Sequence, residues 1–194
     1  MAAVVLDERF EAGAPPERVW RFLLDPRRVI GCVPGGVLDR VQPDGTYDGS
    51  VRVAVGPLTL AYAGRVRLAA VDASVRRVTI VGEARERGGP GAARLALESD
   101  VREASPGRSA VAALVRLDVA GLAAELGRGL LEELGHLVFQ EFAAAVRAAI
   151  EAEEAGAVPA PRPAAPLRAV PLVLRALRAW LAGLLAARLR RPAR

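Results

Sequence analysis

The sequence has little of the chemistry that catalytic and metal sites most often use. Its 194 residues include one cysteine, one histidine and no lysine, so all 27 basic residues are arginines. Cys32 alone cannot form an intrachain disulfide, and Cys32 with His136 cannot assemble a zinc site of the usual Cys/His kind. The sequence also contains neither Gly-x-Ser-x-Gly nor Gly-Lys-Ser/Thr. These absences argue against a serine-hydrolase elbow and against a phosphate-binding loop.

Aromatic residues are also scarce, at 4%, and the positive charge is unevenly placed. Eight of the arginines, and none of the 22 acidic residues, lie from Gly156 onward. Residues 1–155 therefore hold 19 basic and 22 acidic residues, so the body is mildly acidic although the whole chain has a net charge of +5. A body without a basic face or an aromatic stacking platform is not expected to bind nucleic acid.

The first 36 residues predict a strand, two short helices and a turn, in that order. Residues 3–12 alternate with period two, which predicts a strand. Pro15 and Pro16 open a helix that Asp25-Pro26 closes. A second short helix over 26–31 leads into a tight turn at 32–36. Trp20, at helical spacing, is expected in the core, and Cys32 is expected to be a small buried apolar residue.

From residue 37 to residue 120 the pattern predicts strands joined by turns. The alternating stretches are 47–55, 58–68, 78–84, 93–101 and 109–119, separated by Gly- and Pro-rich turns. Such hairpins with one apolar face give a curved antiparallel sheet. Leucines and other apolar residues then recur at helical spacing over 122–155, which predicts a long helix covering that face. Glycines 127, 129 and 135 inside this helix indicate close backbone approach or open space beneath it.

Several short motifs occur in an order that resembles the CoxG family, named for the G-subunit of carbon monoxide dehydrogenase, within the START/Bet v 1-like (SRPBCC) superfamily. The resemblance covers residues 3–150. The motifs are Ala14-Pro15-Pro16-Glu17-Arg18-Val19-Trp20, Leu24-Asp25-Pro26, Cys32-Val33-Pro34-Gly35, Asp44-Gly45-Thr46-Tyr47-Asp48-Gly49, Val55-Gly56-Pro57, Tyr62-Ala63-Gly64, the turn at 88–91, Val119-Ala120-Gly121-Leu122-Ala123 and Leu126-Gly127-Arg128-Gly129.

The resemblance implies an α+β helix-grip fold, in which a curved antiparallel sheet wraps a long C-terminal helix in the order β-α-α-β6-α. It also implies a non-catalytic accessory protein that recruits a molybdenum-containing CO dehydrogenase or a related hydroxylase to the membrane. The cavity of such a protein is expected to hold a hydrophobic small molecule, with a quinone as the candidate, and no cofactor is covalently bound. Two alternatives stay open: a free lipid or polyketide carrier, and an enzyme of the same superfamily.

We expect the cavity to be lined by inward-facing residues of the strands and of the long helix. The candidates are Tyr47, Val53, Leu60, Tyr62, Ile80, Leu95, Leu97, Val115, Leu126, Leu130 and Phe139. This wall suits an apolar ligand held by a few polar groups. Polar residues on the inward faces are almost confined to Glu8, Ser99 and the two tyrosines, which offers no acid/base pair. His136 is interpreted as a packing or surface residue.

The sequence predicts three segments: a ligand-binding domain over 1–155, a Pro/Ala-rich extended linker over 156–171, and an amphipathic helix over 172–194. On a helical wheel the last segment places leucines and one tryptophan opposite arginines, although its last arginines approach the apolar side. The residues expected to contact a membrane are Leu174, Arg175, Leu177, Arg178, Trp180, Leu181, Leu184, Leu185, Arg188, Arg190 and Arg191.

Repeated arginines favour a helix lying on an anionic membrane over one that spans it. Docking of this helix onto the acidic domain, or onto a second copy of itself, is the alternative. The N-terminus has no basic stretch followed by an apolar one, so no secretion signal is indicated. We therefore expect a cytoplasmic protein held peripherally on the inner face of the cell membrane.

Overall fold

The alternating apolar residues form the inner face of one antiparallel sheet. The structure, a computed structural model, describes residues 1–55, 58–154, 167 and 168. The strands of the main path are β1 (Ala2–Ala12), β2 (Gly36–Val41), β3 (Tyr47–Val55), β4 (Leu58–Asp72), β5 (Arg77–Glu86), β6 (Ala92–Ser105) and β7 (Arg108–Ala120). Their spatial order is β1-β7-β6-β5-β4-β3-β2. Register shifts in the β2–β3, β4–β5 and β6–β7 pairs help the sheet to curve.

Two short helices connect β1 to β2. Helix α1 (Pro16–Leu23) begins with a proline, whose missing N–H is no loss in the first turn of a helix. In α2 (Pro26–Ile30) the carboxylate of Asp25 caps the N-terminus by accepting a 3.0 Å hydrogen bond from the backbone N–H of Arg27. The two predicted short helices are confirmed, and so is the β-α-α-β6 order that precedes the C-terminal helical region.

The prediction of one continuous helix over 122–155 is wrong, because the structure has two helices in this region. Helix α3 (Leu122–Glu125) stops before Gly127, which has a φ of 81°, and α4 (Arg128–Glu154) starts directly after it. A left-handed φ is accessible to glycine and ends the helical hydrogen-bonding pattern. Gly135 does lie in close approach, since a Cβ there would overlap Leu6 Cδ1, whereas a Cβ on Gly129 would meet no atom within 4 Å.

A two-residue strand, β8 (Leu167–Arg168), joins the sheet beside β3. It pairs in parallel with Val53 and Ala54. Strand β3 pairs with β4 over its whole length but with β2 only from Tyr47 to Val51, so its last residues have a free edge that β8 occupies in part. Leu167 and Arg168 are the only part of the predicted linker that the structure describes. The predicted amphipathic helix over 172–194 lies outside the described residues.

The core divides into clusters at the two ends of the sheet. At the first end, Trp20 and Phe22 of α1 pack with Val146 and Ile150 of α4, and Cys32 is buried there with them. At the other end, Ala123 of α3 and Leu131 of α4 pack with residues of β1, β4 and β7. We call these the α1 end and the α3 end. Strand β5 runs from one to the other, and its ten residues span about 30 Å. The core positions expected for Trp20 and Cys32 are confirmed.

Candidate ligand-binding site

The strand register places all eight predicted cavity residues of the sheet on one face. Ile80 lies opposite Leu97, Leu97 opposite Val115, and Val115 opposite Leu6, across four adjacent strands. Cross-strand partners share a face of a sheet. The other predicted positions follow in phase on the same face: Tyr47, Val53, Leu60, Tyr62 and Leu95. Leu6 also contacts α4 at Gly135, so this is the face that the helix covers.

Inward-facing residues at the centre of this face are more exposed than is expected for a central strand that a helix covers completely. Leu95 and Leu97 lie on β6, which has strands on both sides, yet both are only partly buried. Neither belongs to a core cluster among the described residues, and neither does Tyr47. We use the term trough for the central part of the inner face, formed by Tyr47, Ile80, Leu95, Leu97 and Val115, all of which are partly buried. Apolar side chains that are partly accessible at a concave face can accept an apolar ligand.

The predicted helical residues are divided between the two ends of the trough. Leu126 and Leu130 pack with Val53 and Val55 near the α3 end. Phe139 instead lies towards the α1 end, where its ring centroid is 5.9 Å from that of Phe10 in an edge-to-face arrangement. The sequence prediction treated these residues as one wall, whereas Phe139 belongs to an aromatic cluster that packs against the α1-end core.

Tyr62 brings a buried hydroxyl to the inner face. Its side chain packs in the α3-end cluster, and the residue is only 8% exposed. The hydroxyl has no hydrogen-bond partner among the described residues. Burial, and secondarily the nearby negative charge of Glu86, raise the pKa of Tyr62 above its usual value, so the hydroxyl remains protonated and can donate. A buried hydroxyl without a partner costs about 1–3 kcal/mol, which a ligand acceptor would recover.

Glu86 lies opposite Tyr62 in the register, and the sequence analysis missed it. Its Oε2 accepts a 3.2 Å hydrogen bond from the N–H of Gly91. Gly121, with a φ of 78°, packs against Gly91 so closely that a Cβ on Gly121 would lie 2.6 Å from Gly91 Cα. Two of the recognised glycine motifs thus join the β5–β6 turn to the start of α3. The period-two pattern of β5 would have placed Glu86 inward.

Glu8 and His136 form a second polar pair on the inner face. Glu8 is an inward residue of β1 whose side chain is only 12% exposed, and its Oε1 contacts Nδ1 of His136 on α4. The imidazole is half exposed, which agrees with the surface alternative of the predicted packing or surface role, although the carboxylate partner of His136 was missed. No local pattern predicts this pair, because 128 residues separate its members. A carboxylate and an imidazole in contact can in general exchange protons.

Two surface recesses lie away from the predicted cavity residues. One, of about 400 Å³, is at the β2–β3 hairpin and is lined by Gln42, Pro43, Asp44, Thr46 and Arg65. The other, of about 240 Å³, lies beside β1, β6 and β7 and is lined by Asp7, Arg77, Glu98, Ser99, Asp100, Ala112, Ala113 and Leu114. Neither includes any of the eleven predicted cavity residues, so the lining of the trough stays a prediction.

Over residues 1–55 and 58–154, no group of three or more His, Cys, Asp or Glu side chains could hold a metal ion. Within the same residues, none of the helices combines the length and hydropathy needed to cross a membrane. The eleven predicted membrane contacts, from Leu174 to Arg191, all lie outside the described residues.

A curved antiparallel sheet that grips a long C-terminal helix, with two short helices after the first strand, defines the START/Bet v 1-like helix-grip class. A conserved protein from Geobacillus kaustophilus has the same fold with a TM-score of 0.68 and 17% identity, over 76% of this chain and 95% of that one. The ZhuI aromatase/cyclase from Streptomyces sp. R1128 matches with a TM-score of 0.58 and 15% identity, over 81% of this chain and 100% of that one. A START superfamily protein from Mycobacterium smegmatis gives a TM-score of 0.53 and 10% identity, over 76% and 97% of the two chains.

The amino-acid sequence also shows which family within this class the chain belongs to. The model of the CoxG family, the carbon monoxide dehydrogenase G-subunit, matches residues 9–151. The chain therefore belongs to the CoxG family, and the resemblance drawn from its motifs is confirmed. No curated protein sequence matches the chain significantly.

Proposed function

We propose that this protein is a non-catalytic accessory protein that binds an apolar molecule in the trough and recruits a molybdenum-containing CO dehydrogenase or a related hydroxylase to the membrane. The candidate ligand is a quinone, which would link the dehydrogenase to the respiratory chain. The family supports the dehydrogenase partner, because its description names a component of that enzyme. The arginine-rich segment over 172–194 supports attachment to the anionic inner face of the cell membrane.

The observation that carries the ligand proposal is the unpartnered hydroxyl of Tyr62. This residue is only 8% exposed and lies on the same face as the partly exposed Leu95 and Leu97. An apolar molecule with one hydrogen-bond acceptor would satisfy both features, since its body would cover the leucines and its acceptor would bind the hydroxyl. Quinone carbonyls are acceptors of this kind.

Native mass spectrometry and solvent extraction of the purified full-length protein test the ligand proposal. We expect an apolar ligand to co-purify, and we expect the variant Tyr62→Phe to retain less of it than the control Tyr47→Phe. A protein that purifies without a ligand and binds no added quinone would contradict the proposal. Retention of a lipid or polyketide, without affinity for a dehydrogenase, would favour the free carrier instead.

Vesicle flotation tests the membrane part of the proposal. Full-length protein is expected to float with vesicles containing an anionic phospholipid, and a chain that ends at Ala155 is expected to remain at the bottom of the gradient. High salt should weaken the flotation, because counterions screen the attraction between arginines and lipid phosphates. Equal flotation of both chains would contradict a role for the last segment.

An enzymatic function is the second candidate, and one specific observation favours it. The Glu8–His136 pair provides a carboxylate and an imidazole at the inner face. One solved structure with the same fold is named an aromatase/cyclase. If the protein were such an enzyme, Glu8→Gln and His136→Gln would abolish turnover of a bound polyketide without releasing it. The accessory function instead predicts that neither substitution changes a bound molecule chemically.

A further inference from the structure

The position of β8 determines where the chain leaves the folded domain towards its arginine-rich end. Leu167 pairs with Val53, and Val53 packs near Leu130 and Leu134 of α4. Those two leucines precede Glu154 by 20 to 24 residues, which is about 30–36 Å along a helix. β8 is therefore displaced from the end of α4 towards the α3 end of the trough.

The number of residues between α4 and β8 is sufficient for this return. Leu167 follows Glu154 by thirteen residues, and a chain of that length reaches at most about 45 Å. At the rise of polyproline II, about 3.1 Å per residue, the same length covers about 40 Å. A proline-rich segment of this size can thus connect the two points.

The short connection after β8 limits how far the start of the arginine-rich segment can lie from the sheet. Residue 172, where the predicted amphipathic segment begins, comes four residues after Arg168, so it lies within about 14 Å of that residue. A membrane bound by residues 172–194 would accordingly be close to the free edge of β3 and to the α3 end. The β4–β5 turn lies at the other end of the sheet, about 30 Å away along β5.

The surface of the α3 end has a composition that suits an anionic lipid surface. Leu122, the first residue of α3, is 41% exposed. Arg87, which follows β5, and Arg128, at the start of α4, are both exposed, as is Glu125 of α3. An exposed leucine can insert into the interfacial region while arginines at the same end of the domain contact lipid phosphates.

We propose that the α3 end, defined here by Arg87, Leu122, Arg128 and the β3 edge at Val53–Ala54, is the surface that faces an anionic membrane. This inference rests on the proposed membrane attachment of the last segment, and it adds the orientation of the domain. Tyr62 and Glu86 then lie at the lipid-proximal end of the inner face.

Site-specific quenching on vesicles tests the orientation. In a full-length Cys32→Ala background, Leu122→Cys and Val75→Cys each carry a fluorophore. The two positions are similarly exposed, at 41% and 52%, but they lie at opposite ends of the sheet. On vesicles of phosphatidylcholine and phosphatidylglycerol that contain quencher-labelled lipid, we expect quenching at Leu122→Cys to exceed that at Val75→Cys several-fold.

Equal or reversed quenching in protein that floats with the vesicles would overturn the orientation and leave membrane attachment intact. Failure to float would instead overturn the attachment on which the orientation rests. A disulfide experiment tests the β8 pairing separately, again in the Cys32→Ala background. Ala54→Cys with Arg168→Cys is expected to oxidise readily, whereas Arg77→Cys with Arg168→Cys is not. Equal oxidation of the two pairs would overturn the tethering at β3.

Discussion

Gly135 of α4 lies directly against Leu6 of β1, so closely that a Cβ on the glycine would overlap Leu6 Cδ1. We expect Gly135→Ala to lower the free energy of unfolding by about 1–3 kcal/mol, because the buried Leu6 side chain must change its rotamer or the helix must move away from the strand. Gly129→Ala is the matched control in the same helix, since its Cβ would meet no atom within 4 Å. Gly129→Ala should raise the free energy of unfolding by up to about 1 kcal/mol, because alanine has a higher helix propensity than glycine. Chemical denaturation measures both, and equal effects would contradict the close approach.

The contact between the largely buried Glu8 and the half-exposed His136 predicts that substituting the two residues has unequal effects on stability. His136→Ala leaves the carboxylate of Glu8 buried without its partner, which should cost about 1–3 kcal/mol of unfolding free energy. Glu8→Leu instead replaces that carboxylate with an apolar side chain among Leu6 and Phe10, and it should cost less or even stabilise the fold. Urea unfolding of both variants compares the two costs. A larger loss for Glu8→Leu would show that the pair is not what determines stability at this position.

Tyr62→Phe should separate ligand binding from stability. The ligand-free variant is expected to be at least as stable as the original protein, and more stable by up to about 3 kcal/mol, because it removes a buried hydroxyl without a partner. Ligand affinity should decrease about tenfold, which corresponds to one lost hydrogen bond. Thermal unfolding and a binding titration with a soluble short-chain quinone measure the two effects. A destabilised variant with unchanged affinity would contradict the assignment of Tyr62 as a ligand contact.

The raised pKa of Tyr62 also predicts a pH dependence. The unfolded tyrosine loses its proton near pH 10, whereas burial and then Glu86 keep the folded residue protonated to higher pH. Above that pH the folded state binds more protons than the unfolded state, so the free energy of unfolding decreases as pH rises past the unfolded pKa. Denaturation on both sides of pH 10 should show this decrease, and Tyr62→Phe should reduce it. The same slope in both proteins would contradict the burial of the hydroxyl.

The sequence was sufficient to predict the strands, because period-two alternation depends on neighbouring residues only. Tyr47 and Tyr62 were correctly expected on the inner faces of adjacent strands for this reason. The break at Gly127 was missed, since a glycine within an apolar helical pattern does not reveal its φ. Glu86 was overlooked because it lies in a charged stretch, although its phase in β5 matches that of Ile80.

Other features depend on contacts between distant parts of the chain. Glu8 and His136 meet only because α4 crosses β1 at Gly135, and neither residue carries a local signal of its partner. Strand β8 is too short to show any alternation, and it forms because β3 extends beyond β2 and leaves a free edge at Val53 and Ala54. These relationships require the three-dimensional structure.

The central claim is that an apolar molecule occupies the trough between the sheet and α4. Binding of a quinone or of the co-purified ligand to Leu97→Trp and Ala96→Trp tests it most directly, because these adjacent residues of β6 face opposite sides of the sheet. The account predicts that Leu97→Trp fills the trough and abolishes binding in a folded protein, while Ala96→Trp binds normally. Unchanged binding by a folded Leu97→Trp variant would contradict it.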